Sequence, residues 1–445
     1  MRILVVGAGE VGSSIAESLA DTHEVVVVDI DPARVETITY QHDVLPIQGD
    51  GTAIETLQDA EAERADVVIA STDGDETNLA ICGTVKTLTD AFTIARVQKL
   101  SYLETWQRSH SAFGVDFMVS TDLLAAQAVV RLIGFPTAKD VDPFAGGLVQ
   151  MAEFEIPADS PLADTTVEAA DRFEALTFAA ILRNGDAVIP GGEDVIHAGD
   201  RVVVIGRPES VREFATAVTP EERTDAADEV VLVGGSPIAH QIARLLEERG
   251  IGPRIFEADH DRARELAERL PKTTVLEHDA TDLDFLEREH VADADVLVAS
   301  LDSDEKTLLA ALIAKRVGVE RTVAIVDEAQ YVALFEAVGV DVAVNPREVT
   351  AEEITRFTRE RRAENVAILE SGAAEVIEVE VAADSVLAGR TIGEAVADVP
   401  GGVVVGAITR DGSYVVPRGA TVVEPGDHVV LFVRESSMAD VLDTL

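Results

Sequence analysis

The sequence predicts an α/β protein built twice over: two doubly wound parallel-sheet domains, each followed by a small α+β lobe. Three observations predict it. An apolar strand at the N-terminus runs into a glycine turn and an amphipathic helix; that unit recurs near the middle of the chain; and each copy is trailed by short apolar runs separated by tight-turn residues.

The first element is MRILVVGAGEVGSSIAESLA, in which the strand ILVV leads into GAGEVG, Gly7 to Gly12. Gly7 allows a tight turn, Gly9 lets backbone approach a phosphate, and Gly12 lets the helix lie close to the strand. The helix N-terminus offers free N–H groups to an anion. The next strand, HEVVVVDID, ends on Asp29, 22 residues beyond Gly7. A carboxylate there accepts both ribose hydroxyls and repels a 2′-phosphate, so this Rossmann-like domain favours NAD(H), ATP or ADP over NADP.

Three further segments fall at the carboxyl ends of predicted strands, where an open α/β sheet binds ligands. Gly49-Asp50-Gly51 follows VLPIQ and can reach the adenine edge. Ser71-Thr72-Asp73 follows ADVVIA and can approach the phosphates or second ribose. Arg96 ends FTIAR, where a guanidinium can clamp a phosphate. Asp31 and Asp75 read as solvated acids, and Cys82, the single cysteine, as a small core residue.

The second copy begins DEVVLVGGSPIAHQIARLLEE. Gly7 matches Gly234 at an offset of 227, Asp29 matches Glu257 at 228, and Asp73 matches Asp302 at 229. Parts of the site change: Ser236 and Ala239 replace two glycines, Pro237 removes a backbone donor, and His278 and Ile325 stand where Gly49 and Arg96 stood. Glu257 keeps the ribose-type acid, leaving open a weak site or a structural lobe.

The trailing segments also repeat. Ile189-Pro190 matches Val416-Pro417 and Gly199-Asp200 matches Gly426-Asp427, while Asn184-Gly185 and Asp411-Gly412 signal hairpins. The predicted domains are 1–136, 140–220, 228–350 and 364–445, with junctions in GFPTAKDVDPFAGG, TPEERTDAADE and RERRAEN. An even tandem points to modules packed as a pseudo-dimer.

Eighty-two acidic residues face 36 basic ones, a formal charge of −46. The acids are spread along the chain, which reads as a halophilic surface and disfavours nucleic acid as a partner. No run of 18 uncharged apolar residues would cross a membrane, and the N-terminus lacks signal-peptide regions, so a reducing cytoplasm is expected. The nine histidines show no metal-ligand spacing; there is no GKS/GKT loop, G-x-S-x-G elbow or cysteine pair. This argues against the alternative of an NAD-dependent oxidoreductase and for a non-enzymatic role.

With these residues in hand, the chain resembles the TrkA family, regulatory subunits built from RCK (KTN) domains. The opening MRILVVGAGEVGSSIAESLA, the QGDGT segment and IASTDGDETN carry the resemblance, and VVLVGG and VASLDSDE extend it to the second half. The resemblance implies that Gly7, Ala8, Gly9, Glu10 and Val11 form a phosphate turn. It also implies that Asp29 holds the ribose, that Thr72 and Asp73 contact nucleotide, and that Arg96 contacts phosphate. A homo-oligomeric ring, a tetramer by resemblance, is implied at the cytoplasmic face of a potassium transporter of the TrkH or TrkG type. Service to another channel or transporter is the alternative.

Overall fold

The computed structural model describes residues 1–20, 22–41, 44–109, 112–134, 138–183, 186–218, 229–359, 365–368, 374–383, 385–399, 403–434, 437 and 441. Contacts divide the chain into two compact units: Met1–Val130 with Ala227–Thr355, and Arg131–Ala226 with Arg356–Leu445. Each unit therefore holds the like halves of both repeats.

In the first unit the chain runs β1 Arg2–Val6, α1 Glu10–Ala20, β2 Glu24–Asp29, α2 Pro32–Gln41, β3 Leu45–Gln48, α3 Ile54–Asp59, β4 Val67–Ala70, α4 Asp75–Leu88, β5 Phe92–Val97, α5 Leu100–Arg108, β6 Phe117–Ser120 and α6 Thr121–Ile133. The strands RILVV and EVVVVD are near-continuous runs of β-branched residues because both faces of a parallel sheet are covered by helices. All pairings are parallel and the order is β3-β2-β1-β4-β5-β6. The order reverses between β1 and β4, which opens a crevice at their carboxyl ends.

The first repeat continues through β7 Ala138–Phe144, β8 Val149–Glu155, β9 Thr165–Thr166, α7 Val167–Ala170, β10 Leu176–Arg183, β11 Asp186–Val188, β12 Val195–Ile196, β13 Arg201–Gly206 and α8 Pro208–Val218, all in the second unit. Half of the Pro/Gly-rich stretch read as a junction is β7, paired antiparallel with β8. Pro143 is tolerated there because β7 is an edge strand. The chain then returns to the first unit with β14 Val230–Val233, α9 Pro237–Glu248, β15 Arg254–Glu257, α10 His260–Arg269, β16 Thr274–Glu277, α11 Leu283–Arg288, β17 Val296–Ala299, α12 Asp304–Val317, β18 Arg321–Ile325, α13 Val332–Ala337, β19 Val342–Val344 and α14 Pro346–Arg359. Its sheet order, β16-β15-β14-β17-β18-β19, reproduces the first.

The last segment comprises β20 Asn365–Ile368, β21 Ala374–Glu380, α15 Ile392–Ala395, β22 Val403–Arg410, β23 Ser413–Val415 and β24 His428–Arg434. The second unit contains two five-stranded antiparallel sheets, β11-β10-β13-β8-β7 and β20-β21-β24-β22-β23. One face of each covers its own core; the other faces meet in a shared layer that includes Phe144, Met151 and Ile205 against Val376, Ala407 and Phe432. At Gly406 a β-carbon would lie 2.5 Å from Ile205 Cδ1, so glycine permits that approach. The Asp411-Gly412 hairpin forms with both residues at positive φ, whereas Asn184-Gly185 lies outside the described residues, as do 219–228 and 360–364 of the other junctions.

Candidate functional site

The glycine turn sits at the carboxyl end of β1. Gly7 has φ +105°, and a β-carbon on it would come within 2.8 Å of Thr72 N. A β-carbon on Gly12 would overlap the Gly7 carbonyl oxygen at 1.8 Å, so α1 can start against the strand only with glycine there. By contrast, a β-carbon on Gly9 would meet, among the described residues, only Arg34 Nη1 at 3.4 Å, an ordinary contact.

Asp29 is buried at the end of β2. Its Oδ2 accepts from Ala8 N at 2.5 Å and its Oδ1 from Asp31 N at 2.8 Å, so the carboxylate is fixed beside the turn. Gly49 N donates to the Asp29 carbonyl, which brings the 49–51 loop alongside. Asp50 itself is exposed and accepts from Thr52 N and Oγ1; those two bonds hold its carboxyl below the usual range. Thr72 is occupied by Asn78, which accepts from its N and Oγ1 and donates back to its carbonyl.

Between turn and strand ends lies a cleft of about 290 Å³, lined by Gly9, Glu10, Val11, Ser71 and Asp73 and by three guanidinium groups, Arg34, Arg96 and Arg347. Arg96 is only 3% exposed. Its Nε donates to Thr121 Oγ1 at 3.0 Å and Nη1 reaches the Thr72 carbonyl at 3.4 Å. Among the described residues the one carboxylate within 4 Å is Asp73, at 3.8 Å. Burial pulls the guanidinium below its ordinary value, Asp73 opposes that, and nearby Arg347 adds to it. In a chain with 82 acids, this buried arginine lines the cleft with no carboxylate closer than 3.8 Å among the described residues. Arg34, half exposed, spans the opening with Asp29 at 3.9 Å and Asp73 at 3.8 Å.

Asp75 is not the solvated acid the sequence suggested. It is 7% exposed and accepts from Gln98 N at 2.8 Å and Lys99 N at 2.9 Å, because the start of α4 abuts the exit of β5. Asp31 is exposed, as expected, and accepts from Ala33 N. Asp122, in the first turn of α6, faces Arg96 and Asp75; burial first, then Asp75, pushes its carboxyl up to about 6.

Sequence reasoning missed the second repeat's contribution. Glu10 Oε1 accepts from Ala329 N at 3.0 Å and Oε2 from Arg347 Nη1, which also donates to the Asp327 carbonyl at 3.0 Å. Glu328 and Arg347 thus complete the wall of the first repeat's cleft.

Matches to family models agree with this doubled architecture. The TrkA-N domain matches residues 3–121 and again 230–346; the TrkA-C domain matches 151–219 and 376–445. The chain belongs to the TrkA family.

Among TrkA relatives, the Trk system potassium uptake protein TrkA homolog 2 of Methanosarcina mazei is 32% identical over 449 residues, spanning 99% of each chain. The Archaeoglobus fulgidus homolog is 34% identical, covering 98% of this chain and 97% of its own. That of Haemophilus influenzae is 30% identical, covering 100% and 98%. A solved GsuK channel matches 100% of this chain and 78% of its own at 18% identity with a TM-score of 0.62, and one bound to NAD does so at 0.60; these share the fold.

In the second TrkA-N domain the corresponding turn is filled by its own side chains. Glu257 Oε2 accepts from Gly235 N at 2.5 Å and Oε1 from Asp259 N, reproducing the Asp29 geometry with a longer acid. Arg262 Nε donates to the Gly235 carbonyl at 2.6 Å, Ser236 Oγ bonds Ser300 Oγ at 2.6 Å, and Asp302 pairs with Lys306. Ile325 ends β18 with no charge to offer.

Proposed function

We propose that this chain is the nucleotide-binding regulatory subunit of a Trk-type potassium uptake system, acting as a switch and not as an enzyme. The observation that carries the ligand is the buried Arg96 guanidinium, facing a cleft beside a glycine turn with no carboxylate nearer than 3.8 Å among the described residues. A buried cation is costly unless an anion meets it, and a phosphate fits that edge. Asp29, bonded to Ala8 N beside the turn, supports a ribose contact, which favours NAD(H), ATP or ADP. Thr72 and Asp73 would edge the phosphates, and Asp50, which does not line the cleft, would reach the adenine edge.

Relatives across the whole length bear the name of Trk potassium uptake proteins, which supports potassium transport as the process regulated. No helix among the described residues is long and apolar enough to cross a membrane. A membrane partner of the TrkH or TrkG type would therefore provide the conduction path, with this chain at its cytoplasmic face, assembled as a homo-oligomer. The self-filled turn around Glu257 argues for the first repeat as the nucleotide site.

Calorimetry tests this with NADH, NAD, ATP and ADP in concentrated KCl. One site per chain, lost in Asp29→Asn and weakened in Arg96→Ala without turnover of NADH, is the expected result. Binding untouched by either substitution would overturn the assignment.

A further inference from the structure

The cleft walls carry a charge arrangement that the nucleotide reading does not require. Glu10 opens α1 and lines the cavity, where its negative charge would repel an anionic ligand. That carboxylate is held by the second repeat: Arg347 Nη1 donates to Oε2, and Ala329 N donates to Oε1. Arg347 sits at the start of α14, braced by the Asp327 carbonyl. It remains partly exposed, with 37% of its side chain open to solvent, and lines the same cavity as Arg96. Fixed backbone bonds orient its helix start, since Asn345 Oδ1 accepts from Arg347 N and Glu348 N.

From this arrangement we infer that Arg347 is a specificity-determining residue that exchanges its partner from Glu10 to the terminal phosphate of a nucleoside polyphosphate bound in the first repeat. The inference rests on the nucleotide reading above. The chemistry is a competition between two anions for one guanidinium. A phosphate carries more charge and more acceptor oxygens than Glu10, and it also stands near Arg96, so it wins the exchange. Adenosine, which has no phosphate, leaves the Glu10 pair intact and gains nothing from Arg347. Because Arg347 and Ala329 belong to the second repeat, the exchange replaces an inter-repeat contact with one through the ligand, and ligand charge is read by the pairing of the two repeats.

The test is titration of the full-length protein with ATP and with adenosine at one fixed KCl concentration, for wild type, Arg347→Ala, Glu10→Gln and the double variant. Arg347→Ala should weaken ATP by on the order of 10- to 100-fold, because a charge-assisted bond is lost and Glu10 is left bare. Adenosine affinity should stay within about twofold. Glu10→Gln should strengthen ATP by about two- to fivefold, and adding it to Arg347→Ala should recover part of the loss. Equal effects of Arg347→Ala on ATP and adenosine, or weaker ATP binding in Glu10→Gln, would overturn the exchange while leaving the nucleotide site standing. Absence of any adenosine-ligand binding to the wild type would overturn both.

Discussion

The Asn78 side-chain amide donates to the carbonyl oxygens of both Thr72 and Arg96, at 2.9 Å each, and joins the ends of β4 and β5 at the edge of the cleft. The same side chain accepts from Thr72 N and Oγ1, so one buried residue satisfies three backbone groups. In the second repeat Thr307 stands at this position, and its hydroxyl accepts from Leu301 N. Asn78→Ala should therefore cost about 3 kcal/mol and Thr307→Ala about 1 kcal/mol, since orphaned buried groups cost more than a lost bond. Denaturant midpoints of the two variants check this; equal losses would mean that the Asn78 bonds carry no more than the Thr307 one.

A pH dependence follows from Asp122. Burial, then Asp75, pushes its carboxyl up to about 6, while Arg96 pulls it back. A carboxyl raised in the folded state binds its proton more tightly there than in the unfolded chain. Its contribution to stability is present below the ordinary value of 3.8 and is lost as pH rises through about 6. Protonation also removes a negative charge near Arg96, so an anion in the cleft should bind better at pH 5.5 than at 7.5. The NAD pyrophosphate does not titrate in that window and is the ligand to use. Its affinity should fall by about two- to fivefold across it in wild type, and stay flat in Asp122→Asn. A flat wild-type profile would remove Asp122 from the electrostatics of the cleft.

What the sequence made legible was the local backbone geometry of the glycine turn. Gly7 and Gly12 lie where the strand–turn–helix spacing forces close backbone approach, and both show β-carbon positions that would collide. Asp75 was misread because its partners, Gln98 N and Lys99 N, belong to a connection two elements on, and an acid at a helix start looks the same whether solvated or buried. Arg347 and Ala329 were invisible for a stronger reason: they meet Glu10 across more than 300 residues of chain. One signal did exist. Where the first repeat has Ser120-Thr121-Asp122, the second has Asn345-Pro346-Arg347, so the charge reverses between copies at a helix start. A reversal at one position of an otherwise matched repeat marks a place where the copies do different work.

That difference in work gives a stoichiometry. The turn of the second repeat holds Arg262 against the Gly235 carbonyl and Ser236 against Ser300, and its acid is already bonded to Gly235 N and Asp259 N. Entry of a nucleotide there would have to break these contacts without an Arg96 equivalent to compensate. Calorimetry should return one site per chain, with Glu257→Gln changing neither number nor affinity and Asp29→Asn removing the site. Two sites in wild type, reduced to one by Glu257→Gln, would show that the second turn opens.

The charge of −46 sets the last expectation, which concerns the whole chain. Acids are spread over both units, and the basic residues are too few to pair with most of them, so folding brings like charges together. At about 0.1 M salt the screening length is about 10 Å, and neighbouring surface carboxylates repel; at about 1 M it is about 3 Å and most of that repulsion is gone. Melting temperature should climb steeply with KCl up to about 1 M and flatten above it. Isosmotic sucrose, which screens nothing, should give a smaller rise. A melting temperature indifferent to KCl across this range would mean the acidic surface is not a salt adaptation, and would turn attention to a basic partner as its counterpart.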